Sequence, residues 1–339
     1  MKAPFAKFYG LLGVWLGICV FVTGCGTVRV PVQVTHPAEI NMASYKQVAI
    51  SRIDGTLGNA FEDDLKGRLV ESGRFTLVDR ARLDQIMREL NLSNNDLLAQ
   101  SGKAAKLGKL LPATAIITGR TNGKYEEKMT YEDATCYRDS KDKKGYLCKT
   151  YTRTGTYLTD GSIDVIDVAT AQILKSRSLG NRCENKISAT EANPDIIDRN
   201  ALASTCSHQN VTKFMKAISP WTEMVQAPFQ KDGDLPSLEA GVNLAKIGDM
   251  QGAAGTFQAA AKSAEMNPKV SPKTIAKAYF NLGLANQYSD QYDKAMEAFK
   301  KSYTLDPSDA TAKEIKNCEK LQGEKRKSDE HNKGAGKGK

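Results

Sequence analysis

The first 24 residues constrain the fold most, because they remove themselves from it. Lys2 and Lys7 precede an apolar run from Phe8 to Val22 that carries Trp15, Leu16, Ile18, Val20 and Phe21, and Val22-Thr23-Gly24-Cys25 follows. A cationic start, an apolar middle and a small-residue end form the order of a secretory signal. The run also falls short of the ~20 apolar residues that a spanning helix needs. The folded part is therefore expected to begin at Cys25 and to mature in an oxidising compartment. Cys19 leaves with the signal. Cys136, Cys148, Cys183 and Cys206 are an even set, so two disulfides are expected. The local pairing is Cys136–Cys148 and Cys183–Cys206; the other two pairings stay open. Spacings of twelve and twenty-three residues hold no Cys-x-x-Cys knuckle, which disfavours zinc. Cys318 is left over, on a helix face.

At 339 residues the chain has room for two modest domains. A composition of 40% hydrophobic and 26% charged residues supports a core and sets disorder aside as the default. The net charge of +9 falls to about +7 when Lys2 and Lys7 leave, which favours anionic neighbours such as phospholipid headgroups. Only 7% of residues are aromatic and no nucleic-acid motif is present, so a nucleic-acid partner is not expected.

The Val-Thr-Gly-Cys ending resembles the lipobox of bacterial lipoproteins, although Leu-Ala-Gly-Cys is commoner there. The resemblance implies a diacylglyceryl group on the Cys25 thiol and a further acyl chain, such as palmitate, on its freed amino group. Two or three chains anchor stably where one anchors marginally. Gly26 stands where an inner-membrane lipoprotein carries Asp, which implies the outer membrane. Residues 1–24 are thus read as signal peptide and 25–44 as a lipidated tether. Val28, Val30, Val32 and Val34 alternate there, and Pro31 limits any strand to an edge.

From residue 45 strands and helices alternate. Residues 47–53 read as a strand, 59–71 as a helix closed by Gly73, 74–78 as a strand, and 80–90 as a helix with Asp79 at its N-cap. A helix at 101–111, strands at 113–118, 162–168 and 172–178, and a helix at 196–217 complete the set. The blocks Gly73-Arg74-Phe75-Thr76-Leu77-Val78-Asp79-Arg80, Leu83-Asp84-Gln85-Ile86-Met87, Ala104 to Leu111, Ala113 to Gly119 and Ile163 to Ile173 resemble, in this order, the CsgG-like family, which includes the curli secretion channel subunit. The resemblance spans about residues 45–218. It implies a periplasmic α/β (α+β) sandwich, akin to that of LpoB-like lipoproteins.

Curli-type subunits donate membrane hairpins to a barrel, and a membrane strand needs about 9–11 residues with one apolar face. Residues 122–160 fail that test. Tyr125, Met129 and Tyr131 share a face with Glu127 and Asp133, and the other face holds Lys124, Glu126, Lys128 and Glu132. Charge facing lipid at mid-depth costs ~2–4 kcal/mol per Arg or Lys. The segment reads as a disulfide-pinned surface hairpin.

Residues 219–233 read as a linker, and from 234 to 321 the pattern is helical. Gly241, Ala253, Phe257 and Ala260 recur as Gly283, Ala295, Phe299 and Ser302. With Tyr279, Leu282 and Pro307 these match the tetratricopeptide (TPR) spacing. The first repeat is weaker, with a Gly-to-Gly spacing of 42 rather than about 34. Lys277, Asn281 and Asn286 are candidates for a groove that takes a partner's peptide or helix. Residues 322–339, rich in Lys, Gly and Glu, read as a disordered basic tail.

No catalytic constellation emerges. His36, His208 and His331 fall in a linker, a helix and a tail, with no nucleophile expected beside any of them. Cys206 and His208, two apart on a helix, point to different faces. No cofactor is expected. The sequence reads as a non-catalytic outer-membrane lipoprotein, a periplasm-facing scaffold or accessory factor in an envelope assembly or secretion complex, with a protein partner at its TPR part. Homo-oligomerisation stays open. The alternatives are a CsgG-type channel subunit and an LpoB-like activator of a peptidoglycan synthase.

Overall fold

The computed structural model describes residues 26–89, 107, 109–111, 114–138 and 144–336. Cys25, the signal segment and most of the expected helix at 101–111 lie outside them. The chain divides into two compact units: residues 35–223 with 323–339, and the N-terminal segment with 224–322.

The larger unit is built on a mixed six-stranded sheet. Its strands are β2 (Gln47–Asp54), β3 (Thr76–Val78), β4 (Thr114–Cys136), β5 (Tyr146–Asp167), β6 (Ile173–Ser178) and β7 (Asn181–Thr190). The order is β3-β2-β4-β5-β6, with β7 also paired to β5. β2 runs parallel to β3 and β4, and the remaining pairs are antiparallel. Val48, Ala49 and Ile50 of β2 are all buried, because helices cover both faces of the sheet. On one side α1 (Gly58–Glu71) and α3 (Arg199–Ile218) bring Phe61, Leu65, Leu69, Val211 and Phe214 against Val48, Ile50, Ile117 and Val165. On the other, α2 (Arg80–Glu89) brings Leu83 and Met87, with Leu107 and Leu111, against Ala49, Ile116 and Val168. This is a three-layer α/β sandwich.

Capping fixes where these helices start. The Asp79 carboxylate accepts from the Arg82 amide at 3.2 Å, and that of Asp198 from Asn200 and Ala201 at 2.8 and 3.0 Å. Glu62, buried on α1, meets Arg80 at 2.5 Å and Lys66 at 2.8 Å. Burial opposes its charge, but the Lys66 bond and the Arg80 guanidinium outweigh burial and hold the carboxyl below its ordinary range.

β4 and β5 pair continuously from Ala115↔Asp167 to Cys136↔Tyr146. β2 stops pairing at Arg120, so the rest of the hairpin leaves the sandwich as an arm. β7 widens it, pairing with Thr150–Thr159; the sequence reading had no strand there. The arm has little core of its own. Cys136 and Cys148 are joined across its end, and Cys183 and Cys206 join β7 to α3.

The smaller unit corrects the boundaries drawn at 25–44 and 219–233. Its helices are α4 (Ser237–Lys246), α5 (Met250–Glu265), α6 (Pro272–Gln287), α7 (Tyr292–Leu305) and the first part of α8 (Asp309–Gly336). The tether holds a strand, β1 (Thr27–His36), and the linker holds another, β8 (Trp221–Gln230). The two form a two-stranded sheet. The valine alternation has the physical consequence expected of a half-buried strand. Val30 and Val32 join Ala227 and Phe229 in one core with Phe257, Phe280 and Phe299. Pro31 and Pro228 leave gaps in the donor rows of this ribbon. Phe229 is fully buried and stacks on Phe257 at 5.7 Å. It fills space beside α4, which is ten residues long where α6 has sixteen. The wide Gly241-to-Gly283 spacing has another source: α5 has 16 residues against 14 in α7, and residues 266–271 lengthen the connection from α5 to α6.

The tail is likewise corrected. Residues 322–336 continue α8 as helix. Lys, Glu and Arg are good helix formers, and extending an existing helix avoids the cost of nucleation. Within the larger unit, Glu324 meets the His36 ring at 2.7 Å and Lys327 donates to the Glu39 carbonyl at 2.7 Å.

Candidate interaction groove of the helical unit

The repeat geometry rests on two glycines. A Cβ on Gly241 would stand 2.4 Å from the Phe257 ring, and one on Gly283 would stand 2.5 Å from the Phe299 ring. Only glycine lets each helix lie directly on the next helix's phenylalanine. Ala253 and Ala295, both fully buried, continue the close approach. Pro307 sits in the short break between α7 and α8.

α6 is buried along most of its length and presents two opposite faces. Tyr279, Leu282 and Asn286, spaced at three and four residues, form the floor of a groove of about 600 Å³. α5 supplies one wall with Gln251, Ala254, Gly255 and Gln258. α7 supplies the other with Gln291, Lys294, Glu297, Ala298 and Lys301. The Lys301 ammonium lies 2.5 Å from Glu265 and 2.7 Å from the Tyr279 hydroxyl, above that tyrosine's ring. The Glu265 bond holds Lys301 charged above its ordinary range, and the same bond holds the Glu265 carboxyl below its own. Burial raises the Tyr279 phenol. Lys294 donates to the Gln291 side chain at 2.7 Å. Small residues on the walls leave the groove open, and four amides along it can both donate and accept hydrogen bonds.

Of the three sequence candidates for the groove, Asn286 lines it. Lys277 and Asn281 lie on the opposite face of α6. Lys277 pairs with Asp232 at 2.7 Å, and the Asn281 amide bonds the backbone of Gln230. The walls from α5 and α7 escaped sequence reading, because Gln and Ala there look like any solvated helix face.

The remaining candidates are placed as follows. His36 is buried, stacked on Trp221 at 4.2 Å, with its ring nitrogens facing Glu324 and Glu223. His208 lies beside Asp64 and Arg68. Cys318 is buried and its thiol is pushed up to about 11 by burial. Among the described residues no group of His, Cys, Asp and Glu is arranged to hold a metal ion. Among them, too, no helix is long and apolar enough to cross a membrane.

A three-layer sandwich with a long hairpin, joined to stacked helix pairs, defines a two-part class: an α/β sandwich domain with a TPR-like helical domain. Residues 26–218 match the family described as curli production assembly/transport component CsgG, and the chain belongs to that family. Residues 276–309 match the tetratricopeptide repeat. No curated protein matches the chain. Among solved structures, lipoprotein GNA1162 from Neisseria meningitidis is similar at 11% identity, covering 50% of this chain and 96% of that one, with a TM-score of 0.25. The LpoB C-terminal domain from Salmonella enterica is similar at 16% identity over 40% and 81%, with a TM-score of 0.22. A putative neuraminyllactose-binding hemagglutinin homolog from Helicobacter pylori shares 11% identity over 52% and 82%, with a TM-score of 0.26.

Proposed function

We propose that this chain is a non-catalytic accessory lipoprotein of the bacterial envelope, anchored through Cys25 to the outer membrane and facing the periplasm. Its CsgG-family domain docks into an envelope assembly, and its helical unit recruits a protein partner. The observation that carries this reading is the open groove between α5 and α7, floored by Tyr279, Leu282 and Asn286, on the same chain as a CsgG-family domain. The test is a photo-crosslinking residue at Gln258 in the intact chain, with captured protein identified by mass spectrometry. One envelope protein should be captured, and Gly255→Arg should abolish the capture. A Cβ at Gly255 meets nothing within 4 Å, so the arginine fills the groove without disturbing the helix. No capture above background from either Gln258 or Glu297 removes the recruitment role.

A second reading, a secretion-channel subunit, draws support from the arm. The register puts Tyr125, Met129, Tyr131, Tyr151, Tyr157 and Ile187 on one face and Thr150, Thr152, Thr154 and Thr156 on the other. Rings in electron micrographs and conductance in planar bilayers would establish that reading. A monodisperse species without conductance rejects it.

A further inference from the structure

The larger unit holds a pocket of about 400 Å³, walled by the loop 37–46, the start of β3, the end of α3 and the last turns of α8. The sheet sets two cations at its rim. β2 and β3 run parallel from Gln47↔Thr76, and the Thr76 amide donates to the Lys46 carbonyl at 2.9 Å, so Lys46 and Arg74 stand at the same end of the sheet. α8 adds His331, Ser328 and Asn332, and Ile40, Met42, Phe75 and Pro220 form an apolar wall. No acid lines the pocket. The acids beside it in sequence are engaged elsewhere or face water. Glu39 pairs with Lys175 and Arg177, Asp167 accepts from the Tyr45 hydroxyl, and Asp329 and Glu330 are exposed. The carbonyls at the end of α3 are also taken, Ala217 by the Ile40 amide and Met215 by that of Ser219. Among the described residues, the side chains of Lys46, Arg74 and His331 make no ion pair or hydrogen bond. Burial, and then Lys327, push the His331 imidazole below its ordinary range against the opposing pull of Glu330.

We propose that this pocket is a binding site for a phosphate monoester, free or at the head of a lipid, whose organic part rests on the apolar wall. Three donors without an acidic partner, around a cavity without an acid, are complementary to an anion. Arg74 offers a planar fork that matches two phosphate oxygens, Lys46 a point charge and His331 a ring N–H. Two permanent cations suit a phosphate monoester, which carries about −1.5 to −2 at pH 7, better than the single charge of a carboxylate. The apolar wall lowers the local dielectric and strengthens these contacts. The pocket is too small for two acyl chains, so of a lipid only the headgroup enters. Because His331 lies on α8, an occupied pocket ties that helix to the sandwich, and ligand binding is linked to the order of residues 323–336. The inference rests on the larger unit alone and stands whether or not the helical groove takes a partner.

The experiment uses the full mature chain in a neutral detergent. Glycerol 3-phosphate is the soluble probe, and phosphatidic acid in the same micelles is the lipid probe. Calorimetry reads affinity, and hydrogen exchange reads residues 323–336. Saturable binding of glycerol 3-phosphate assigns a free ester, and binding of phosphatidic acid alone assigns a lipid headgroup; either supports the site. With a probe at twice its Kd, exchange across 323–336 should slow about threefold. Arg74→Gln should weaken binding about tenfold or more. Arg82→Gln, the same change of charge on α2 and outside the pocket, should leave binding unchanged. His331→Ala should bind more weakly and lose the linked protection. If Arg74→Gln does not fold by far-ultraviolet circular dichroism, Lys46→Gln takes its place with the same expected direction. The proposal is overturned by no saturable binding of either probe, by equal losses in Arg74→Gln and Arg82→Gln, by acetate binding as tightly as the phosphate ester, or by binding that leaves exchange at 323–336 unchanged.

Discussion

Replacing Gly283 with alanine sets two known effects against each other, and the structure decides which wins. In an open helix position, Gly→Ala stabilises by ~1 kcal/mol, because alanine loses less backbone freedom on folding. At Gly283 the new methyl would lie 2.5 Å from two atoms of the Phe299 ring and 2.9 Å from a third. Carbon atoms settle at about 3.5–4.0 Å, so roughly 1 Å of separation must be found. The ring has nowhere to go: Phe299 is fully buried and sits edge-on to Phe280 at 5.9 Å. Overpacking of this kind costs ~1–3 kcal/mol, leaving a net loss of up to about 2 kcal/mol. Gly255, on α5, is the control, because a Cβ there meets nothing within 4 Å. The same substitution at Gly255 should stabilise by ~1 kcal/mol. Native-state hydrogen exchange on the full chain separates the two, since local opening free energies are read amide by amide. Protection across α6 and α7 should fall about tenfold in Gly283→Ala and rise in Gly255→Ala. Adding Phe299→Leu should restore part of the loss. If both glycines respond alike, the close approach of α6 to α7 is wrong, and with it the geometry of the groove floor.

Other outcomes follow from single contacts. Glu62, whose carboxyl is held below its ordinary value of about 4.5, contributes stability above that pH and loses it as pH falls through the lowered folded value. Glu62→Gln should therefore lower stability at pH 7 by ~1–3 kcal/mol and flatten its decline below pH 4.5, as measured by guanidinium melts across pH 3–7. An unchanged acid limb would refute the assignment. Cys206→Ser should cost about 3 kcal/mol by loop-closure entropy and free β7 to limited proteolysis. Cys136→Ser, at the far end of the arm, should leave α3 protection intact. Cys25→Ser should release a folded, soluble protein from membranes washed with carbonate; retention would count against an anchor-only attachment.

Most of the sandwich was legible because its central strands and its helices carry their own period. Val48, Ala49 and Ile50 form a continuous apolar run fit for a strand covered on both faces, and Phe61, Leu65 and Leu69 mark one side of α1. Gly241, Phe257, Gly283 and Phe299 were legible because they recur at the tetratricopeptide spacing; that each glycine lies against a phenylalanine ring came from the structure. The failures share a physical cause. β8 was read as linker because Pro228 and four polar residues break its pattern, and only the neighbouring helices make Ala227 and Phe229 inner positions. β7 has no apolar face to read; it is held by ten rungs to β5 and by the bridge to Cys206. The tail read as disordered because its composition lacks apolar spacing, yet its helix is inherited from α8 and fixed by polar contacts. Asn281 was noticed for the right chemistry and assigned to the wrong occupant. An amide at a helix surface announces that it bonds backbone, not whose.

The arm is where the competing functions separate on physical grounds. Its aromatic face is the one that would meet lipid in a barrel. That face also carries Lys149 and Arg153, along with Asp133 and Glu127. Arg153 is tied to Glu127 and to the Pro194 carbonyl, and Lys149 lies over the Tyr131 ring at 4.8 Å. These contacts soften the ~2–4 kcal/mol that each cation costs at mid-bilayer, but they leave it unfavourable on a face whose larger apolar and aromatic members are Tyr125, Met129, Tyr131, Leu147, Tyr151, Tyr157 and Ile187. In water the same residues cost little: Tyr125, Tyr157 and Ile187 pack against Ile197 and Leu202 at the base of the arm, exposed tyrosines keep their hydroxyls hydrated, and two disulfides pin the strands. A charge-reversal pair does not separate the two readings. Arg153→Glu with Glu127→Arg keeps the ion pair and leaves a water-exposed arm folded, with unchanged protease resistance and unchanged extraction. A barrel strand with the same pair would still insert. Replacing both Lys149 and Arg153 with leucine should therefore be the discriminating change. It should make a water-exposed arm aggregate, and it should improve the insertion of a membrane arm. Better insertion, with rings that resist extraction, would overturn the accessory-protein reading.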